Sequence, residues 1–306
     1  MAAAEVTVVI PSTAIPERFD LLLRAIRSVR EQRGVRAIPL VVLNGTQYTA
    51  DAERALRAEQ DVRVVVQEDR NLPAALRRGR EEVHTPWFTA LDDDDLLLPD
   101  ALATRLSVLQ GNSELDIVVT NGIIRHKGRD TLHVPASLNI TASPLRALVH
   151  HNWFLPGCWL ARTDRVLPEL FDGMPRYREC TFLALRMASQ YRLRWIDAPT
   201  VVRFVDSPQA ESQSRHYVMG QVDALRALAA LELPDYLQKS LRLRITAAMH
   251  ESADLLWREG KLDQAWRMHW DSLRAYRGLR YLSFTRHLLL ASLLGRTQSK
   301  AERSLA

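Results

Sequence analysis

Four consecutive aspartates, Asp92 to Asp95, stand directly after the apolar run Trp87-Phe88-Thr89-Ala90-Leu91. Carboxylates packed so closely repel one another, so they need a cation or full solvation to stay charged. Oxygen ligands of this kind suit Mg²⁺ or Mn²⁺, which take few protein carboxylates and complete their shell with water and phosphate. The competing reading is a solvated acidic turn, with Asp95 or Asp100 near a helix start where a carboxylate is favourable. His150 and His151 lack partners at metal-ligand spacing, and Cys158 and Cys180 make neither a disulfide framework nor a zinc pattern. Trp153 and Trp159 have two readings, stacking on a ligand ring or packing in the core.

These residues need a scaffold, and the first 120 residues alternate two hydrophobic periods. Short β-branched or apolar runs at Val6–Ile10, Ile38–Leu43, Val62–Val66, Trp87–Leu91 and Leu115–Thr120 read as strands. Between them lie helical patterns: Leu21, Leu22, Ala25, Ile26 and Val29; about Ala50 to Glu59; from Pro73; and from Pro99 to about Gln110. That alternation predicts an α/β fold, with a mostly parallel central sheet and helices on both faces. In such sheets ligands bind outside the carboxyl ends of the strands. Pro11-Ser12-Thr13, Asn44-Gly45-Thr46, Asp69-Arg70-Asn71 and Asp92–Asp95 each follow a strand, and are expected on one rim.

The middle third is less regular, with a helix near Thr181–Ser189 and strands at Leu193–Ile196 and Thr200–Phe204. Residues 207–215 read as a polar loop, a boundary or lid. Beyond Val218 the pattern is helical, and Ala253 to Ala265 has the helix–Gly turn–helix form of a tetratricopeptide-like hairpin; a single copy makes no array. Domains are expected at 1–205 (one half to about 120, a second beyond), a linker at 206–220, and a basic helical segment at 221–306.

Composition excludes several classes. At 47% apolar over 306 residues the chain buries a real core and is not wholesale disordered. No run of 18 uncharged apolar residues appears, so a conventional spanning helix is not expected. The start lacks the charged and apolar regions of a secretion signal. A reducing cytoplasm is the expected compartment, with the inner face of a membrane as a peripheral site. No G-x-G-x-x-G follows the first strand and no G-K-[ST] occurs, which disfavours dinucleotide and P-loop chemistry. The net charge of +5 resides in residues 221–306, with 14 Lys+Arg against 9 Asp+Glu. Without aromatic–basic interleaving or a binding motif elsewhere, nucleic acid is not an expected partner. Arginines there alternate with Trp and Leu, a composition that fits either a peripheral membrane contact or a helical hairpin packed on the catalytic domain or a second copy.

The segment Leu91-Asp92-Asp93-Asp94-Asp95-Leu96-Leu97-Leu98-Pro99 closely resembles the metal-binding segment of family 2 glycosyltransferases with the GT-A fold, where an apolar strand runs into D-x-D-D. Val8 to Ser12, Val41 to Thr46, Asp69 to Gly79, Asn152 to Arg162 and Glu179 to Arg186 resemble further motifs of that family, in its order, over roughly residues 5 to 205. The resemblance implies a metal-dependent inverting transferase that moves a sugar from a nucleotide-diphosphate donor to an acceptor hydroxyl on a glycan, a lipid-linked molecule or a small molecule. It implies that Asp92 and Asp94 hold ribose and a Mn²⁺ or Mg²⁺ ion, and that Asp93 stands nearby. Pro11, Ser12, Asn44, Asp69, Arg70 and Arg77 would meet the nucleotide, and His216 would supply a third metal ligand. The family's catalytic aspartate is replaced by Cys180, so the base falls to Glu179, then Asp172; a non-catalytic nucleotide-sugar-binding protein is the alternative. Asn44 and Leu43 replace two acids that read the base, which leaves the base open. Asn71 replaces a glycine, for which a left-handed backbone is expected.

Overall fold

The computed structural model describes residues 3–206 and 214–303, with side chains in the last helix through Leu293. Contacts divide the chain into two compact units, Met1–Ala210 and Glu211–Ala306. Most of the expected 207–215 lid lies outside the described residues.

The first unit is built on a sheet of nine strands among the described residues, ordered β3-β2-β1-β4-β8-β6-β9-β5, with β7 paired to β6. Four strands lie parallel at one side: β1 (Glu5–Ser12), β2 (Arg36–Asn44), β3 (Arg63–Gln67) and β4 (Trp87–Ala90). β1 is buried from Val6 through Ser12, which is why its sequence reads as a continuous apolar run rather than an alternation. Helix α1 (Pro16–Arg30) buries Leu22, Ala25, Ile26 and Val29 at helical spacing, as the periodicity predicts. Helix α2 (Ala50–Ala58) follows β2, and α3 (Leu72–Glu81) lies close on β1 and β2 because Gly79 permits it. A Cβ at Gly79 would stand 2.2 Å from Val9 Cγ1.

The sheet is mixed beyond β4. β5 (Leu96–Leu97), β7 (Arg129–Leu132) and β8 (Trp159–Arg162) are antiparallel to their neighbours and too short to leave a periodic signal. β8 lies between β4 and β6 (Ile117–His126). The two strands expected at 193–204 form one, β9 (Leu193–Phe204), parallel to β6 with a register irregularity that accommodates Pro199. Two antiparallel steps restore direction, so the carboxyl ends of β6 and β9 face the same rim as those of β1 and β4. Helix α4 (Ala101–Gly111) carries Arg105, fully buried, which donates to Thr120 Oγ1 at 3.1 Å, to Trp159 O at 3.0 Å and to Thr200 Oγ1. One side chain thus ties β6, β8 and β9 together behind the rim; burial lowers its pKa to about 10. The short α5 (Pro144–Ala147) precedes the 152–158 loop, and α6 (Glu179–Gln190) precedes β9.

The second unit is helical: α7 (Arg215–Ala229), α8 (Asp235–Arg258), α9 (Leu262–Arg274) and α10 (Phe284–Arg303). Residues 215–220, expected in the linker, already belong to α7, because Ser214 caps it by accepting from the Tyr217 N–H at 3.1 Å. The hairpin read from the sequence is α8–α9, turning at Gly260 with φ +73°. Ala253, Leu256, Ala265, Phe284 and Leu288 form its core. Among the described residues no helix is long and apolar enough to cross a membrane.

Candidate active site

The acidic loop leaves β4 at the centre of the rim, and each of its four carboxylates has a different fate. Asp93 is buried and bound: Ser12 Oγ donates to its Oδ2 at 2.5 Å and Arg18 Nη2 to its Oδ1. Arg18 also pairs with Asp94 Oδ2 at 3.2 Å, and Arg24 Nη2 donates to the Asp94 carbonyl at 2.7 Å. Burial works against the Arg18 charge, but these two aspartates more than offset it and hold the guanidinium above its ordinary pKa. Asp93 and Ser12 therefore serve to fix the loop. Ser12 Oγ also accepts from the Ala14 N–H at 3.0 Å, and Pro11 is buried within β1.

Asp92, Asp94 and Asp95 form the open arrangement. One oxygen from each lies within 4.8 Å of the others. Asp95 is 1% exposed; its Oδ1 accepts from the Phe204 N–H at 3.0 Å, and its Oδ2 is buried with no hydrogen-bond partner among the described residues. Two elements bring Phe204 there: β5 pairs Leu96 with Val202, and β9 ends on this rim. Burial, then repulsion from Asp92 and Asp94, holds the Asp95 carboxyl far above the ordinary carboxylate range. Asp92 is pushed up to about 7, by burial first and Asp94 second, with Arg203 opposing. Arg203 is a positive neighbour of Asp92, Asp94, Asp95 and Cys180. Three converging carboxylates, one with an orphaned buried oxygen, have the oxygen chemistry that could hold a hard divalent cation. His216, expected as a third ligand, is in α7 of the second unit; the described cluster instead has Asp95 as its third member.

The nucleotide-side residues are distributed along the same rim. Asn44, at the end of β2, is buried, and its Oδ1 accepts from the Asn71 N–H at 2.8 Å. That bond gives its carbonyl a structural role the sequence did not suggest. Gly45, at φ +95°, brings the strand end beneath Arg70, whose Cβ would stand 3.1 Å from a Cβ there. Asp69 and Arg70 are exposed in the bend after β3. Asn71 is extended at φ −145°, which corrects the expected left-handed backbone: it caps α3, accepting from the Ala74 N–H at 3.4 Å. Arg77 is spent on Asp172, with a second pair to Glu81 at 3.1 Å. Two residues assigned separate roles thus neutralise each other, both about half exposed.

On the opposite side, Glu179 opens α6 and is a charged neighbour of both Asp92 and Cys180. Its Oε1 accepts from the N–H of Tyr177, whose φ of 78° turns the chain into the helix. Cys180 is a neutral thiol: burial drives its pKa well above the ordinary value, Arg203 opposing and Asp92 adding. The 152–158 loop closes this side. Gly157 N donates to Ala90 O at 2.7 Å, immediately before the acidic loop, and Asn152 Nδ2 reaches Thr181 Oγ1 at 3.4 Å. Trp153 and Trp159 are fully buried, which removes them as sugar-stacking surfaces. His151 instead meets His133, with ring centroids 5.0 Å apart.

Sequence reasoning missed Arg18, Arg24, Arg203 and His133. Arg18 had a signal, since a cation in the first turn of a helix opposes the helix dipole and needs a reason to be there. Arg203 had none, because the aspartates it faces lie in the loop after β4, far away in the sequence.

Solved structures share this architecture. S. aureus TarS 1–349 in complex with UDP-GlcNAc is similar over 93% of this chain and 88% of its own, with a TM-score of 0.59 at 12% identity. The same fragment with UDP covers 79% and 71%, with a TM-score of 0.51 at 14% identity. At such identities the likeness is one of fold, and the fold is the GT-A type with a helical region after it. No curated protein matches the sequence. The family model of "Glycosyl transferase family 2" matches residues 7–171, a span running from β1 through the acidic loop and β8. This chain belongs to glycosyl transferase family 2.

Proposed function

We propose that this chain is an inverting glycosyltransferase that requires Mn²⁺ or Mg²⁺ and takes its sugar from a nucleotide-diphosphate donor. The observation that carries the reading is Asp95, buried beneath Asp92 and Asp94 with one oxygen lacking a hydrogen bond. Asp92, Asp94 and Asp95 would hold the cation. When bound, a hard cation there neutralises charge growing on the leaving diphosphate. Asp69 and Arg70 lie exposed on the rim for the nucleotide, while Ser12, Asp93 and Arg18 keep the loop in place. TarS is seen with UDP and UDP-GlcNAc, which recommends UDP-sugars as the first donors to test.

Glu179 is assigned as the base. Its carboxylate takes the proton of the acceptor hydroxyl as that oxygen attacks the anomeric carbon opposite the leaving nucleotide, which inverts the centre. Cys180 cannot do this, since its thiol holds its proton at neutral pH, and Asp172 is committed to Arg77. The acceptor is a hydroxyl of a glycan, a lipid-linked molecule or a small molecule.

The test is a thermal-shift panel of UDP-, GDP- and dTDP-sugars with and without Mn²⁺, followed by nucleotide release. The account expects a donor to add stabilisation only when Mn²⁺ is present, and Glu179→Gln that binds without turning over. The specific observation favouring a second reading is the neutral thiol at Cys180. Donor binding with no release of nucleotide under any acceptor supply would select that reading, a nucleotide-sugar-binding protein.

A further inference from the structure

Nine large hydrophobic side chains are exposed among the described residues, and all but Leu132 and Leu167 lie between Trp270 and Leu293. The concentration is not diffuse. On α10, Phe284 and Leu288 face the core, while Leu289, Leu290 and Leu293 are 51%, 52% and 62% exposed. At about 100° per residue these three leucines lie on the side of the helix away from the core. Arg286 shares that side and is exposed. The turn before α10 adds Leu279, 72% exposed, and Leu282, 56% exposed. Trp270, 48% exposed, stacks on Trp266, whose Nε1 donates to Ser292 of α10 at 3.0 Å, so the aromatic surface adjoins that helix.

Charge decides what can cover this face. Residues 272–301 contain no aspartate or glutamate, but hold Arg274, Arg277, Arg280, Arg286, Arg296 and Lys300. A two-fold contact with a second copy would set this arginine-rich surface, whose one acid across residues 270–293 is Asp271, against itself, which like charges oppose. Nucleic acid would satisfy the arginines and leave aliphatic leucines with nothing to do. A bilayer with anionic headgroups satisfies both. Leucines enter the acyl boundary, arginines meet phosphates with their stems lying along apolar surface, and Trp and Tyr suit the interface.

We infer that the surface formed by residues 270–293, from the end of α9 to α10, is a peripheral docking face for anionic phospholipid membranes. The test uses the full chain and vesicles of phosphatidylcholine, with and without phosphatidylglycerol. The expected result is co-sedimentation with the anionic vesicles, at least about tenfold stronger than with neutral ones and weakened by added salt. Leu289→Asp/Leu293→Asp should abolish it, and so should Arg274→Glu/Arg286→Glu, whose side chains are exposed. Both variants should keep the wild-type melting temperature, because the substituted side chains are exposed. The inference is overturned if the wild-type chain stays in the supernatant, if neutral vesicles bind it equally, or if folded variants of either kind still bind. It is also overturned if the same substitutions instead dissolve a dimer seen by sedimentation without vesicles. None of these outcomes depends on catalysis.

Discussion

The Phe204 backbone N–H donates to Asp95 Oδ1 at 3.0 Å across 109 positions of sequence, and this bond fixes the buried carboxylate whose other oxygen is left unmatched. Asparagine at position 95 would keep that acceptor and remove the repulsion from Asp92 and Asp94. Asp95→Asn should therefore stabilise the metal-free protein, by about 1 kcal/mol, and reduce Mn²⁺ stabilisation by at least half. Paired thermal melts with chelator and with Mn²⁺ measure both. An unchanged Mn²⁺ shift would remove Asp95 from the ligand set.

The pH dependence follows from Asp92, pushed up to about 7. An unfolded chain ionises this carboxyl near pH 4, while the folded, metal-free chain keeps the proton to about 7. The unfolded state binds fewer protons in that window, so stability from this group falls as pH rises through it and then levels. His133, lowered to about 4 by burial first and His151 second, acts in the opposite sense, losing stability as pH falls below about 6.5. The Asp92 contribution is read as the difference between wild type and Asp92→Asn, on the order of 1 kcal/mol because Asp92 is partly exposed. Metal needs the carboxylate, so Mn²⁺ affinity should rise with pH up to about 7, roughly tenfold per unit if one proton is displaced. A flat affinity between pH 5.5 and 8, in calorimetric titration, would contradict the assignment.

Much of this was legible locally. Asp92 to Asp95 follow a strand in sequence, and strand ends Ser12 and Asn44 come to the same rim because parallel connections require it. The identities of the partners were not legible. Asn44 reads as a base-contacting residue until Asn71 is seen to occupy its carbonyl, and Trp153 and Trp159 keep two readings, stacking or core packing, until both are seen to be buried. β5 has two residues, too few for any period, although it is what draws Phe204 to Asp95. Arginine is so common in this chain that Arg18 and Arg203 do not stand out by type. Cys180 was legible as a departure, and desolvation that keeps its thiol protonated explains why the departure matters.

Arg18 holds the loop through a buried pair with Asp93, where the two side chains are 16% and 7% exposed. Removing one partner strands the other charge, which costs more than the pair itself contributes. Arg18→Met should destabilise the fold by about 3 kcal/mol in urea titration, and Ser12→Ala by about 1 kcal/mol. Equal, small effects would mean that Asp93 is protonated and the loop is held by other contacts.

Arg77 and Asp172 offer a contrast, since both are about half exposed. A double-mutant cycle should give less than about 1 kcal/mol of coupling. Asp172→Asn should leave turnover within about threefold of wild type, while Glu179→Gln lowers it by about a hundredfold or more with donor affinity kept. The reverse order would move the base to Asp172.

The most direct measurement is calorimetric titration, into the full chain, of the nucleotide-diphosphate sugar that the thermal-shift panel selects, with Mn²⁺ and with chelator, for wild type and Asp94→Ala. The account predicts binding in wild type only with Mn²⁺, and no measurable binding in Asp94→Ala under either condition while its fold is intact. Equal donor affinity with chelator, or a folded Asp94→Ala that binds donor as wild type does, would contradict a metal-bridged donor site at Asp92, Asp94 and Asp95.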